Sequence, residues 1–226
     1  MSCPCRKYSR VNKPTVQKKL YVYTGCCGSY NKDYLDACLK MLSRFFKIII
    51  ADLPCCGMNT WYLNPNLTIA RLANLNKIII DHIPIVSLCS SCTLSLGFVF
   101  ALHYSEKFGL LKDLLSICTQ YYMPNIVRAL NAKRTLLVVG MHNLYTFGIE
   151  YYKFQQSKLR AFIPTISIFE LNTTLTTEMY YKEPYNSQYI ETLKRISRQY
   201  DLVVTTAINI ANELDFTVYL PTLLSA

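Results

Sequence analysis

Residues 83–92, Ile-Pro-Ile-Val-Ser-Leu-Cys-Ser-Ser-Cys, form a short apolar run that ends directly in a Cys-x-x-Cys pair. A second stretch at 201–210, Asp-Leu-Val-Val-Thr-Thr-Ala-Ile-Asn-Ile, lays over it at a spacing of 118 residues. The copies share their apolar pattern, but Ala207 and Ile210 stand where the first copy has Cys89 and Cys92. Self-similarity at one fixed spacing is the mark of an internal repeat. Short β-branched runs separated by helix-length segments are the mark of βα units in a parallel sheet.

Working outward, strands are predicted at 20–24, 47–51 and 84–88, with helices at 30–46 and 67–80. The first of these helices sets Tyr34, Cys38, Met41, Leu42 and Phe45 at helical spacing. In the second half, strands are predicted at 135–139, 165–171 and 202–205, and helices at 148–162, 186–200 and 208–214. Between the halves, the apolar segment 94–133 reads as two or three helices broken near Gly109 and Pro124. It suits core or subunit packing, or a membrane-surface or partner-facing helix. The fold class expected is α/β, with two pseudo-symmetric βαβ-type repeats and a helical insertion between them. The chain divides into a basic arm at 1–19, a first repeat with trailing helices at 20–133, and a second repeat without cysteines at 134–226.

All ten cysteines lie before residue 119. Five of them, Cys26, Cys55, Cys56, Cys89 and Cys92, fall just past the ends of three predicted strands. Open α/β sheets place their sites there, beside helix N-termini that favour thiolates. Several soft thiolates on converging loops are what iron–sulfur clusters and zinc require. Five sulfurs exceed the four of a tetrahedral zinc site, which favours a cluster; zinc, and thiols that merely pack, are the alternatives. Cys27 could stand in for Cys26. Cys38 and Cys118 occupy apolar helical positions and read as core, while Cys3 and Cys5 on the arm read as free thiols. The second-repeat loop matching Cys26 falls near His142-Asn143, and that matching Cys55-Cys56 near Thr176-Thr177. His142, alone without cysteine neighbours, reads as structural or solvent-facing rather than as a site. His82 and His103 carry no stronger signal.

The formal net charge is +10, and the first twenty residues supply six positive charges and no negative one. Such an arm suits an acidic partner, anionic lipid or nucleic acid, or is a solvated tail; no nucleic-acid role is expected. The arm has no apolar signal segment, and no run reaches the roughly 18 apolar residues of a membrane span. A reducing cytoplasm is therefore the expected setting, so the cysteines point to metal or redox chemistry rather than to disulfides. No phosphate-cradling glycine loop, Ser/His/Asp set or carboxylate pair is present, and no nucleotide site is expected.

Tyr23-Thr24-Gly25-Cys26, Leu53-Pro54-Cys55-Cys56-Gly57 and Leu88-Cys89-Ser90-Ser91-Cys92 resemble the CCG domain, the cysteine-rich repeat of heterodisulfide reductases and related proteins. Its relatives include lactate- and glycolate-oxidase subunits and the noncanonical anchor subunit of archaeal-type succinate dehydrogenases. The likeness covers roughly residues 20–220, with the motif complete only in the first repeat. The 28 residues between Cys26 and Cys55 run a little short of the family's usual gap, while the 32 between Cys56 and Cys89 are close to it. The resemblance implies one noncubane [4Fe–4S] cluster held by Cys26, Cys55, Cys56, Cys89 and Cys92. It also implies electron transfer in a heterodisulfide reductase-like thiol/disulfide complex, with flavin- or iron–sulfur-bearing partner subunits. One alternative is a membrane-associated subunit of a succinate dehydrogenase that passes electrons toward quinone, peripheral on the inner face of the cell membrane. Another is a zinc-bound structural or assembly subunit. Family members with two intact repeats cleave a disulfide between two clusters, and the missing second ligand set sets this chain apart from them.

Overall fold

The structure, a computed structural model, describes residues 18–25, 31–57, 81–131, 133–171 and 184–225, with the single positions 66, 72 and 75. Cys26 and Cys27, residues 1–17 of the arm, most of the helix expected at 67–80, and Thr176-Thr177 lie outside the described residues.

The first lobe runs β1 (Lys18–Tyr23), α1 (Lys32–Ser43), β2 (Phe46–Ile50), β3 (Ile85–Ser87), α2 (Ser90–His103), a 3-10 turn (Ser105–Leu110), β4 (Leu111–Lys112), α3 (Leu114–Tyr121) and α4 (Met123–Leu130). The second runs β5 (Thr135–Gly140), α5 (Met141–Phe147), α6 (Ile149–Arg160), β6 (Ile166–Leu171), α7 (Pro184–Ser197), β7 (Leu202–Thr205), α8 (Ile208–Glu213), β8 (Val218–Tyr219) and α9 (Leu220–Ser225). Both sheets have four strands and one order, β2-β1-β3-β4 and β6-β5-β7-β8. Every described pairing is parallel. The chain is thus an α/β protein of two like βα repeats.

Strand register shows how closely the halves correspond. Val22 pairs with Ile50 on one side and Val86 on the other, and Leu137 pairs with Ile168 and Val204 in the same way. The outer strands repeat at the 118 residues seen in the sequence, whereas β5 follows β1 at 115. Gly140 is therefore the counterpart of Gly25, and Met141 rather than His142 is the counterpart of Cys26. The segment 94–133 also holds more than helices. Leu111–Lys112 pairs with β3 as the edge strand of the first sheet, and β8 does the same in the second. Two-residue strands leave too short a pattern to be read as period-two alternation.

Local chemistry explains the boundaries. The Asn31 side chain caps α1, accepting from the Tyr34 amide at 3.1 Å. Pro124 sits in the first turn of α4, where its missing N–H costs nothing. Every residue of β5 is buried, as expected of a central parallel strand. One apolar cluster runs through both lobes, from Leu20 and Met41 to Leu137 and Leu224. Arg44 ties the lobes further, donating to the carbonyls of Leu224 and Ser225 at 3.1 and 3.0 Å. Among the described residues no helix is long and apolar enough to cross a membrane.

Candidate metal centre

In the first sheet the chain leaves β1 for β2 on one side and then returns to β3 on the other. The carboxyl ends of β1 and β3 thus flank a topological switch point, where the departing loops diverge and leave a crevice. β1 ends there in Thr24-Gly25, next to Cys26, and β3 ends in Leu88-Cys89. β2 runs beside β1 and delivers Cys55-Cys56 to the same edge.

Of the five expected sulfurs, two approach a third. Cys56, Cys89 and Cys92 are all buried, and Cys56 and Cys89 lie within side-chain hydrogen-bonding reach of Cys92. These neighbouring sulfurs, followed by burial, hold the Cys92 thiol well above its ordinary range. Cys55, on the same loop, is exposed. Gly25 closes the other side: a Cβ built there would stand 2.5 Å from Cys92 Sγ and 3.8 Å from Cys89 Cβ. Its φ of +58° is open to glycine at little cost.

The supporting contacts are specific. The Tyr23 hydroxyl donates to the Pro54 carbonyl at 2.6 Å, pinning the Cys55-Cys56 loop to the end of β1. Burial raises the Tyr23 hydroxyl above its ordinary range, and Cys92 and Cys56 push it further. Gly57, which follows Cys56, holds a φ of +70°, open to glycine at little cost. The Cys89 amide donates to Ser87 Oγ at 3.3 Å, and Thr93 Oγ1 donates to the Cys89 carbonyl at 3.0 Å. These bonds set Cys89 as the first residue before α2, with Cys92 in the helix's first turn.

The second lobe repeats the turn without the sulfurs. The Ala207 amide donates to Thr205 Oγ1 at 3.2 Å, as Cys89 does to Ser87. A Cβ on Gly140 would meet Ile210 Cδ1 at 3.0 Å, as one on Gly25 would meet Cys92. An apolar contact thus occupies the place of the thiols. The two turns also touch, since the Ile208 amide donates to the Leu88 carbonyl at 2.9 Å.

The second lobe contributes polar groups beside the thiols. Ser91 Oγ and His142 Nδ1 share a hydrogen bond of 3.1 Å inside the protein. Burial lowers the His142 pKa to about 4, opposed by nearby Cys89, so the ring is neutral near pH 7. It is buried rather than solvent-facing, and its contact is with the Cys-x-x-Cys turn itself. At the end of β4, Asp113 is buried too, accepting from Asn143 Nδ2 at 3.5 Å and the Tyr151 hydroxyl at 3.4 Å. Burial raises its pKa to about 6, opposed by the nearby Tyr152 hydroxyl.

Cys38 and Cys118 sit in the core, with Cys118 Sγ 4.0 Å from Met41 Sδ. His82 lies elsewhere, beside Lys107, and His103 is exposed at the end of α2. Sequence patterning singled out neither Tyr23 nor Gly25 as a site residue, though both were legible as part of the Tyr23-Thr24-Gly25-Cys26 run. Nothing in the sequence marks buried Asp113, which follows a strand of two residues.

Among the described residues no three His, Cys, Asp or Glu side chains stand ready as a set that could hold a metal ion. The donor chemistry nonetheless fits a thiophilic group. Cys92 and the two buried thiols that approach it cannot ionise jointly out of water without a cation among them. Gly25 supplies the close backbone approach, and Cys26 follows it directly in sequence. No family model matches the chain, and neither does any curated protein.

Proposed function

We propose that the chain is an iron–sulfur electron-transfer subunit of a thiol/disulfide redox complex, carrying one noncubane [4Fe–4S] cluster. The observation that supports this most is the meeting of Cys56, Cys89 and Cys92 under the bare Cα of Gly25 at the switch-point edge. With Cys26 and Cys55, these residues would hold the group, and when bound it supplies one-electron chemistry and an iron open to a sulfur ligand.

The protein's own part is to shape and screen the site. Tyr23 anchors the Cys55-Cys56 loop, Ser87 and Thr93 fix the Cys89 turn, and His142 holds Ser91 from the opposite lobe. Burial of Cys56, Cys89 and Cys92 keeps bulk water from the sulfurs, while exposed Cys55 leaves one flank approachable. Reduction of a disulfide takes up two electrons and two protons and releases two thiols. With one ligand set and no flavin motif, the electrons come from flavin- or cluster-bearing partner subunits.

Metal analysis of anaerobically purified protein separates this reading from a zinc-bound structural subunit. Iron and acid-labile sulfide in near-equal amounts, with a brown colour and absorbance near ~400 nm, are expected. Stoichiometric zinc in colourless protein would exclude the redox role.

A further inference from the structure

The opposite edge of the first sheet holds a second feature that the thiol site does not use. At the amino ends of β1 and β2 lies a cavity of about 700 Å³ whose polar walls are Lys18, Lys19, His82, Lys112, Ser116 and Gln120. Among the described residues no carboxylate lines it, and none of its three lysines forms an ion pair. Outside the lining, Lys107 meets His82, its Nζ 3.1 and 3.2 Å from the two ring nitrogens. Lys19 also stands in register with Lys47 on β2, setting like charges side by side. The carboxylate next in sequence, Asp81, is engaged by the Tyr21 hydroxyl at 2.9 Å.

Lysines that line one concavity with no carboxylate among them leave positive charge there for an anion to balance. A backbone cost sits at His82, whose φ of 51° is the one left-handed value among the described non-glycine residues. Backbone held in a sparsely populated region collects at ligand sites, where surrounding structure enforces it. The volume lies within the range of small-molecule sites, and Phe46 and Ile117 add apolar lining.

We infer that this concavity binds a small phosphate-bearing anion. Lysine amines are point-charge phosphate binders, and Ser116 and Gln120 offer neutral donors that fix orientation. The site lies away from the cysteines and does not depend on what they hold.

Calorimetric titration of the full chain with inorganic pyrophosphate, at low and moderate salt, tests this. One-to-one binding is expected, weakened at least tenfold in both Lys19→Gln and Lys112→Gln, each with wild-type thermal stability. Lys158→Gln, on α6, serves as the charge control and leaves affinity unchanged. Absence of pyrophosphate binding overturns the assignment, as does equal weakening by Lys158→Gln, which would mean diffuse charge attraction. Capture only by phosphatidic-acid vesicles, without pyrophosphate binding, overturns it as well, because the cavity would then be a lipid-surface contact.

Discussion

Gly25 and Cys92 touch so closely that a single methyl on the glycine would stand 2.5 Å from the cysteine sulfur. This contact joins the loop after β1 to the first turn of α2 and fixes where the sulfurs can gather. Its twin in the other lobe, Gly140 against Ile210, keeps the geometry with hydrocarbon in place of sulfur.

Gly25→Ala should therefore displace Cys92 and strain a left-handed backbone position. Overpacking and the lost glycine conformation together cost about 2–4 kcal/mol. Thermal melts should show the loss, and iron per chain should fall steeply. Gly109→Ala, where an added Cβ meets nothing within 4 Å, should leave both unchanged.

Cys89→Ser and Cys92→Ser should each abolish iron incorporation. Cys118→Ser should leave iron content near that of the unaltered chain, since its sulfur faces Met41 in the core. Its cost is a buried hydroxyl, about 1–3 kcal/mol of stability. Equal iron loss in all three variants would contradict the division into site and core cysteines.

Tyr23→Phe removes the bond to the Pro54 carbonyl and leaves that carbonyl short of a donor. A stability loss of about 1–2 kcal/mol is expected. Iron should also release faster to a chelator, because the Cys55-Cys56 loop loses its anchor. Unchanged release kinetics would show that the loop is held by other means.

Asp113 gives the stability a pH dependence. Its folded pKa, about 6, lies above the ordinary 3.8, so the native state binds the proton more tightly than the unfolded chain. Its contribution is fully present below about pH 4 and is lost as pH rises through about 6. The shift corresponds to up to about 3 kcal/mol. Asp113→Asn should flatten the stability profile between pH 4 and 7, read by denaturant melts across that range. An unchanged profile would show that Asp113 is not the titrating group.

The repeat was legible because β-branched strands such as 202–205 and the paired stretches at 83–92 and 201–210 carry their pattern locally. The edge strands β4 and β8 were not, because two residues leave no period. The offset of β5 from β1 was hidden for a related reason. Loops of different length shift the count by three residues, and only strand pairing shows that Gly140 rather than a later residue answers Gly25. Cys89 and Cys92 announced themselves by spacing. The approach of His142 to Ser91 depends on how the two lobes dock, and no local pattern encodes that.

The most direct measurement is an iron-edge anomalous difference map from crystals grown without oxygen. One compact iron peak enclosed by the sulfurs of Cys56, Cys89 and Cys92, and completed by Cys26 and Cys55, is the expected result. No iron among those sulfurs, or a single zinc in its place, would contradict it.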